Sequence, residues 1–202
     1  MGRAHGGDFA VDVERMLKLA HGDGMGTPLA RAAFWLTDSE MHCVACYRFG
    51  QFARRARARH RFAGTGLVIL HKLWNRWITH IDHADIHPGA RIGPGLLIMH
   101  RHGILIGPAQ IGANLVVHQN VTIGQRVAQG DHGVPRIGDN VWIGAGATIC
   151  GAIDIGDGST VSAGAVLTKS VPARSLVAGN PARVIATNYD NSPILNVPNP
   201  EG

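Results

Sequence analysis

The sequence predicts a β-solenoid preceded by a helical region. Two observations carry that prediction. From Ile86 onward aliphatic residues recur every six positions, and glycine follows the aliphatic residue at positions 93, 112, 124, 138, 144 and 156. Before about residue 82 the apolar spacing is helical instead. Neither the two-residue period of a strand nor the roughly 3.6-residue period of a helix generates a repeat of six. A fixed short repeat is the mark of a solenoid, in which each unit is one short strand and one turn.

The helical region comes first, over residues 1–82. Asp8 to Ala20 carries apolar residues at helical spacing, with Phe9, Val11, Val13, Met16, Leu17 and Leu19. Gly22, Gly24 and Gly26 interrupt it, and Pro28 then suits the first turn of a second helix reaching Leu36. Thr37, Asp38 and Ser39 offer N-caps for a third helix, running through Tyr47 towards Arg59. Gly64-Thr65-Gly66 is expected to break the pattern, leaving a fourth helix from Leu67 to Ile81.

The repeat occupies residues 83–186. It reads Ile86, Ile92, Ile98, then a shifted phase at Leu105, Ile111, Val117 and Ile123, then Ile137, Ile143, Ile149, Ile155, Val161 and Leu167. Each aliphatic residue is expected to point into a prism-shaped interior, stacked on its equivalents in neighbouring coils. Glycine and asparagine (Asn114, Asn140) serve the turns, where positive φ is tolerated. An open solenoid end is a pairing hazard, so the helices are expected to cap one. The segment Gly124 to Pro135 lacks the repeat and should form an external loop, and such insertions tend to build a binding face. Residues 187–202 read as a tail.

Composition narrows the function. With 45% hydrophobic and 16% charged residues this is a folding chain. The net charge of +5 is concentrated at Arg54, Arg55, Arg57, Arg59 and Arg61, read as a solvated helix end. No aromatic residues interleave these cations, so nucleic acid is not an expected partner. Cys43 and Cys46 form a C-x-x-C inside an apolar helical pattern with no second ligand pair, and read as buried small side chains. No apolar run is long enough to span a bilayer and no leader stands out, so a cytoplasmic protein without membrane contact is expected.

The residues also carry a resemblance. The run Asp85-Ile86-His87-Pro88-Gly89-Ala90-Arg91-Ile92-Gly93, then His100 with Gly103 to Gly107, is similar to hexapeptide acyltransferases, and to the serine O-acetyltransferases in particular. So are Val121 to Gly124, Ile143 to Ala147 and Val177 to Val184. The resemblance covers about residues 40 to 186. It implies a left-handed parallel β-helix, against the usual right-handed crossover, with acetyl-CoA as donor and no metal. It also implies a homotrimer, or a dimer of trimers, with sites between subunits.

That resemblance assigns His100 as the general base that takes the proton of an acceptor hydroxyl, and Asp85 as the acid that orients its imidazole. Gly124, Ala145, Ala163, Lys169 and Arg183 match the positions lining the donor's path. In the external loop His132 is the nearest candidate for a substrate contact, with Arg126 as a carboxylate partner. One departure stands out. Where serine acetyltransferases place an Asp directly before the base, this chain has Met99, and Asp23 is the candidate replacement from the helical region. Losing that carboxylate should weaken recognition of an ammonium group, so the expected acceptor is serine or a related small hydroxylated molecule, with a sugar or another biosynthetic intermediate as the alternative. The family's C-terminal docking to cysteine synthase is not expected, because residues 197–202 carry no bulky terminal anchor. Two other classes remain open. A γ-carbonic-anhydrase-like metal enzyme would use His100 and His118, although the spacing of His100, His102 and His118 does not match that family. A non-catalytic scaffold would need neither the loop nor the Asp/His pair.

Overall fold

A computed structural model describes residues 6–22, 27–126 and 133–195. Four helices lead the chain: α1 (Gly6–His21), α2 (Pro28–Thr37), α3 (Ser39–Arg59) and α4 (Arg61–Asp82). Thr27 caps α2, its Oγ1 accepting from the Ala30 amide, and Asp38 caps α3, its carboxylate accepting from the Met41 amide at 2.7 Å. The fourth helix begins six residues before the expected Leu67. Gly64 does not break it. A Cβ there would lie 2.2 Å from the Arg57 Cα, so this glycine permits a close crossing of α3 and α4. No helix among the described residues is long and apolar enough to cross a membrane.

Then the chain winds into coils of three strands. The first coil is β1 (Asp85–Ile86), β2 (Arg91–Ile92) and β3 (Leu97–Met99), and the second is β4 (Leu105–Ile106), β5 (Gln110–Ile111) and β6 (Val116–His118). The third is β7 (Thr122–Gly124), β8 (Arg136–Ile137) and β9 (Trp142–Ile143). The fourth is β10 (Thr148–Cys150), β11 (Asp154–Ile155) and β12 (Thr160–Val161). A fifth turn adds β13 (Val166–Leu167) and β14 (Leu176–Gly179), and β15 (Ala182–Ala186) folds back antiparallel on β14. Equivalent strands of successive coils pair in parallel and make the three faces of a left-handed β-helix.

Register stacks the interior as ladders of like residues. One face aligns Ile86, Ile106, Ile123, Ile149 and Leu167. The second aligns Ile92, Ile111, Ile137 and Ile155, and the third Ile98, Val117, Ile143, Val161 and Val177. All of these are buried. The structure corrects the phase at one point: Leu105 faces outward, half exposed, and Ile106 takes the interior place. Ile98 to Ile106 spans eight positions and Ile106 to Ile111 only five, so counting back six from Ile111 lands one residue short, on Leu105, whose side chain points to the other face. Asn114 and Asn140 occupy left-handed turns, and the first donates to the second's side-chain oxygen at 2.9 Å.

The helices close the upper end of the prism through one buried ion pair. Arg48 of α3 meets the fully buried Asp12 of α1 at 2.7 Å and donates to the carbonyls of Ile92 and Gly93. Asp12 in turn accepts from the amides of Gly95 and Leu96, both at 2.8 Å. Burial raises the Asp12 pKa, and those bonds work against the rise. The segment after β15 returns along the solenoid. Asn191 donates to the Asn140 carbonyl, the short α5 (Ser192–Leu195) buries Leu195, and Arg15 of α1 donates to the Leu195 carbonyl. Residues 197–202, on which the docking expectation rests, lie outside the described residues.

Candidate functional site

His100 follows β3 directly, at the start of the lengthened turn, with φ of 58° and an exposed side chain. A non-glycine residue in the left-handed region is uncommon, and here it turns the imidazole out of the ladder that Ile98 continues inward. Below it lies His118 of the next coil, the register partner of Met99, with ring centroids of the two histidines 6.5 Å apart. His118 packs in turn on Trp142, 4.7 Å away. Burial lowers the His118 pKa below its ordinary value, and the nearby His100 lowers it further. The outer turns continue this edge of the prism. The Asn120 amide donates to the His102 carbonyl, the Gly146 amide to Gln119, and the Gly164 amide to Ala145. Ala145 and Ala163 therefore lie on the same edge as His100, in the second and third turns beneath it.

Met99 and His100 border a cavity of about 160 Å³ between the helices and β3. Its apolar side is Met16, Leu19, Phe34 and Leu97, and its acidic side is Asp38 and Glu40 at the start of α3. Burial raises the Asp38 pKa. Glu40 pairs with Arg101 at 3.8 Å, and Arg101 also lies 2.8 Å from Asp82. Sequence reasoning saw Asp38 only as a helix cap and passed over Glu40. The fold brings both to His100 because α3 starts beside the end of β3.

Asp85 opens β1, and its carboxylate accepts from the Asn75 side chain at 3.1 Å. It has no hydrogen bond to His100 among the described residues, and it borders a different cavity, between α3, α4 and β1. Gly124 pairs with Cys150 on another edge, with open space where its Cβ would be. Lys169 is exposed just after β13, on the edge from which the external loop also leaves. Arg183 is exposed on β15, opposite Ala178. Arg126 is exposed at the beginning of the loop. His132 and Asp23 lie outside the described residues. Among the described residues no group of three His, Cys, Asp or Glu side chains converges as a metal-ligand set. Cys43 and Cys46 are buried, and burial pushes both thiols up to about 12.

Comparison with known proteins agrees with this geometry. Residues 135–169 match the family described as bacterial transferase hexapeptide (six repeats). A serine acetyltransferase of Mycobacterium tuberculosis is 34% identical over 159 residues, covering 65% of this chain and 69% of that protein. Soybean serine acetyltransferase complexed with serine superposes with a TM-score of 0.69 at 31% identity, over 90% of this chain and 69% of that one. A Brucella abortus serine acetyltransferase in complex with coenzyme A superposes with a TM-score of 0.72 at 28% identity, over 90% and 68%. The chain spans about two fifths of the length of Arabidopsis thaliana serine acetyltransferases it matches, 43%, 40% and 38% in three of them. With the coiled fold, the shared repeat and a relative matched over two thirds of its length, this chain belongs to the serine acetyltransferase family of hexapeptide transferases.

Proposed function

We propose that this chain is an O-acetyltransferase that moves an acetyl group from acetyl-CoA to the hydroxyl of serine or a related small hydroxylated acceptor. The observation that carries this is the placement of His100: an exposed imidazole at the mouth of a small cavity, on the same edge of the prism as the Ala145 and Ala163 turns. The likeness to proteins solved with serine and with coenzyme A supports the two substrates.

The reaction needs one proton moved. His100 accepts it from the acceptor hydroxyl while the oxygen attacks the thioester carbonyl. The tetrahedral intermediate then collapses, the C–S bond breaks, and the imidazolium returns the proton to the departing thiolate, leaving an acetyl ester and free coenzyme A. An ionised carboxylate that orients the imidazole sharpens this step, and Asp85 is the residue we place in that role, with the complete site formed between subunits of a homotrimer. We assign Gly124, Lys169 and Arg183 to the donor, and Arg126 and His132 to the acceptor. We place the enzyme in the cytoplasm, where acetyl-CoA is supplied.

Glu40 bears on acceptor choice. Met99 removes the carboxylate that would hold an ammonium group, and Glu40 borders the same cavity with its own negative charge. A panel of acceptors, from serine to sugars, assayed by thiol release from acetyl-CoA, tests the reading. Release above the no-acceptor rate with a small hydroxylated compound supports it. Release with none would contradict it.

A further inference from the structure

The largest cavity bordering Asp85 is a groove of about 750 Å³ between α3, α4 and β1, and its walls are cationic. Arg54 and Arg57 come from α3, Lys72 and Arg76 from α4, and His87 from the turn after β1. Among the described residues none of these four Arg and Lys side chains is paired with a carboxylate. Asp85 is the one acidic residue on the walls, its Oδ1 accepting from Asn75, so the four Arg and Lys side chains outnumber its single charge. On the same wall His71 is 5% exposed, and its Nε2 has no hydrogen-bond partner. Gly50 makes room for that ring, since a Cβ there would lie 2.3 Å from Nε2. A volume of this size suits an organic ligand. Four unpaired cations facing one another repel, and an anion between them removes that repulsion while gaining charge-assisted hydrogen bonds.

We propose that this groove binds a phosphate-bearing small molecule other than the acetyl donor, with Arg54, Arg57, Lys72 and Arg76 converging on its phosphates. Arginine forks suit phosphate oxygens in pairs, and two of these three arginines lie one helical turn apart on α3. The groove shares no lining residue with the Met99–His100 cavity, and the one residue of its wall that we place in the catalytic role is Asp85. The proposal does not depend on acetyl transfer, because binding is read without turnover.

The test titrates the full chain with inorganic pyrophosphate and with uridine diphosphate by calorimetry, with and without saturating coenzyme A. Saturable binding is expected, one ligand per chain, unchanged when coenzyme A is present. The Arg54→Gln/Arg76→Gln pair should weaken it about tenfold or more. Arg55→Gln/Arg59→Gln, which removes the same charge outside the groove, should leave it within about twofold. Lys72→Gln offers a milder change should the double variant not fold. No saturable binding, equal weakening by both double variants, or displacement by coenzyme A would each overturn the proposal, the last by giving the groove to the donor's nucleotide.

Discussion

Met99 and His118 are register partners across β3 and β6, so the residue before His100 stacks on the histidine of the next coil. That histidine packs on Trp142, and Met99 itself packs against the core. Met99 thereby sets an apolar side chain against a histidine whose pKa is lowered by burial and by the nearby His100.

Restoring the carboxylate should change acceptor preference. A charge-assisted hydrogen bond contributes about 1.5–3 kcal/mol, which corresponds to roughly ten- to hundredfold in kcat/KM. Met99→Asp is therefore expected to raise kcat/KM for serine by that order and to lower it for the preferred acceptor. Steady-state kinetics on both decide it. Efficient serine turnover by the unaltered protein, reduced by Met99→Asp, would return the acceptor to ordinary serine.

Glu40 gives a second handle on the same cavity. If its carboxylate holds the acceptor's cationic or hydroxyl group, Glu40→Gln should raise KM for amine-bearing acceptors several-fold and leave kcat near its starting value. A fall in kcat at unchanged KM would instead make Glu40 an anchor for Arg101 and nothing more.

How much of this was legible in the chain follows from what each signal depends on. The interior ladder was readable because a six-residue repeat places one aliphatic residue per face, and stacking only repeats that rule. Counting misplaces Leu105 because the turn holding His100 is two residues over-long and the next step, Ile106 to Ile111, is one residue short, and a period of six shows only the net excess of one. Gly64 looked like a helix breaker, since a sequence does not show that Arg57 passes close behind it. The groove cations were read as a solvated helix end because Lys72 and Arg76, which face Arg54 and Arg57, come from the next helix. The acidic side of the cavity was hidden for the same reason: Glu40 and His100 are distant in sequence and adjacent only once α3 docks.

The histidine contribution to the pH response of stability has a definite sign. His118 and His71 both have pKa values lowered by burial below the ordinary 6.5. The unfolded chain then binds more protons than the folded one between the lowered values and 6.5, so stability falls as pH drops through that window. The raised Asp12 and Asp38 pKa values act with the opposite sign, so the histidine contribution is read by difference: from about pH 7.5 to about pH 5 the unaltered protein should lose more melting temperature, or gain less, than His118→Asn. A His118→Asn variant that loses more melting temperature on acidification than the unaltered protein would contradict the direction for His118.

The capping ion pair should be the costliest polar contact to break. Arg48→Ala leaves Asp12 fully buried without its partner, and removing one member of a buried pair costs about 3–5 kcal/mol. Urea unfolding should show a loss of that size. A loss under about 1 kcal/mol would mean that the amides of Gly95 and Leu96 satisfy Asp12 without Arg48.

The base itself is the central claim, and thiol release from acetyl-CoA by the unaltered protein and by His100→Ala tests it most directly, with an active acceptor at saturation. Loss of a general base lowers turnover about 10²–10⁴-fold, with the melting temperature unchanged because the side chain is exposed. Asp85→Asn should slow the same reaction by misorienting the imidazole. Turnover by His100→Ala within a few-fold of the unaltered protein would contradict the account and remove this histidine from the chemistry.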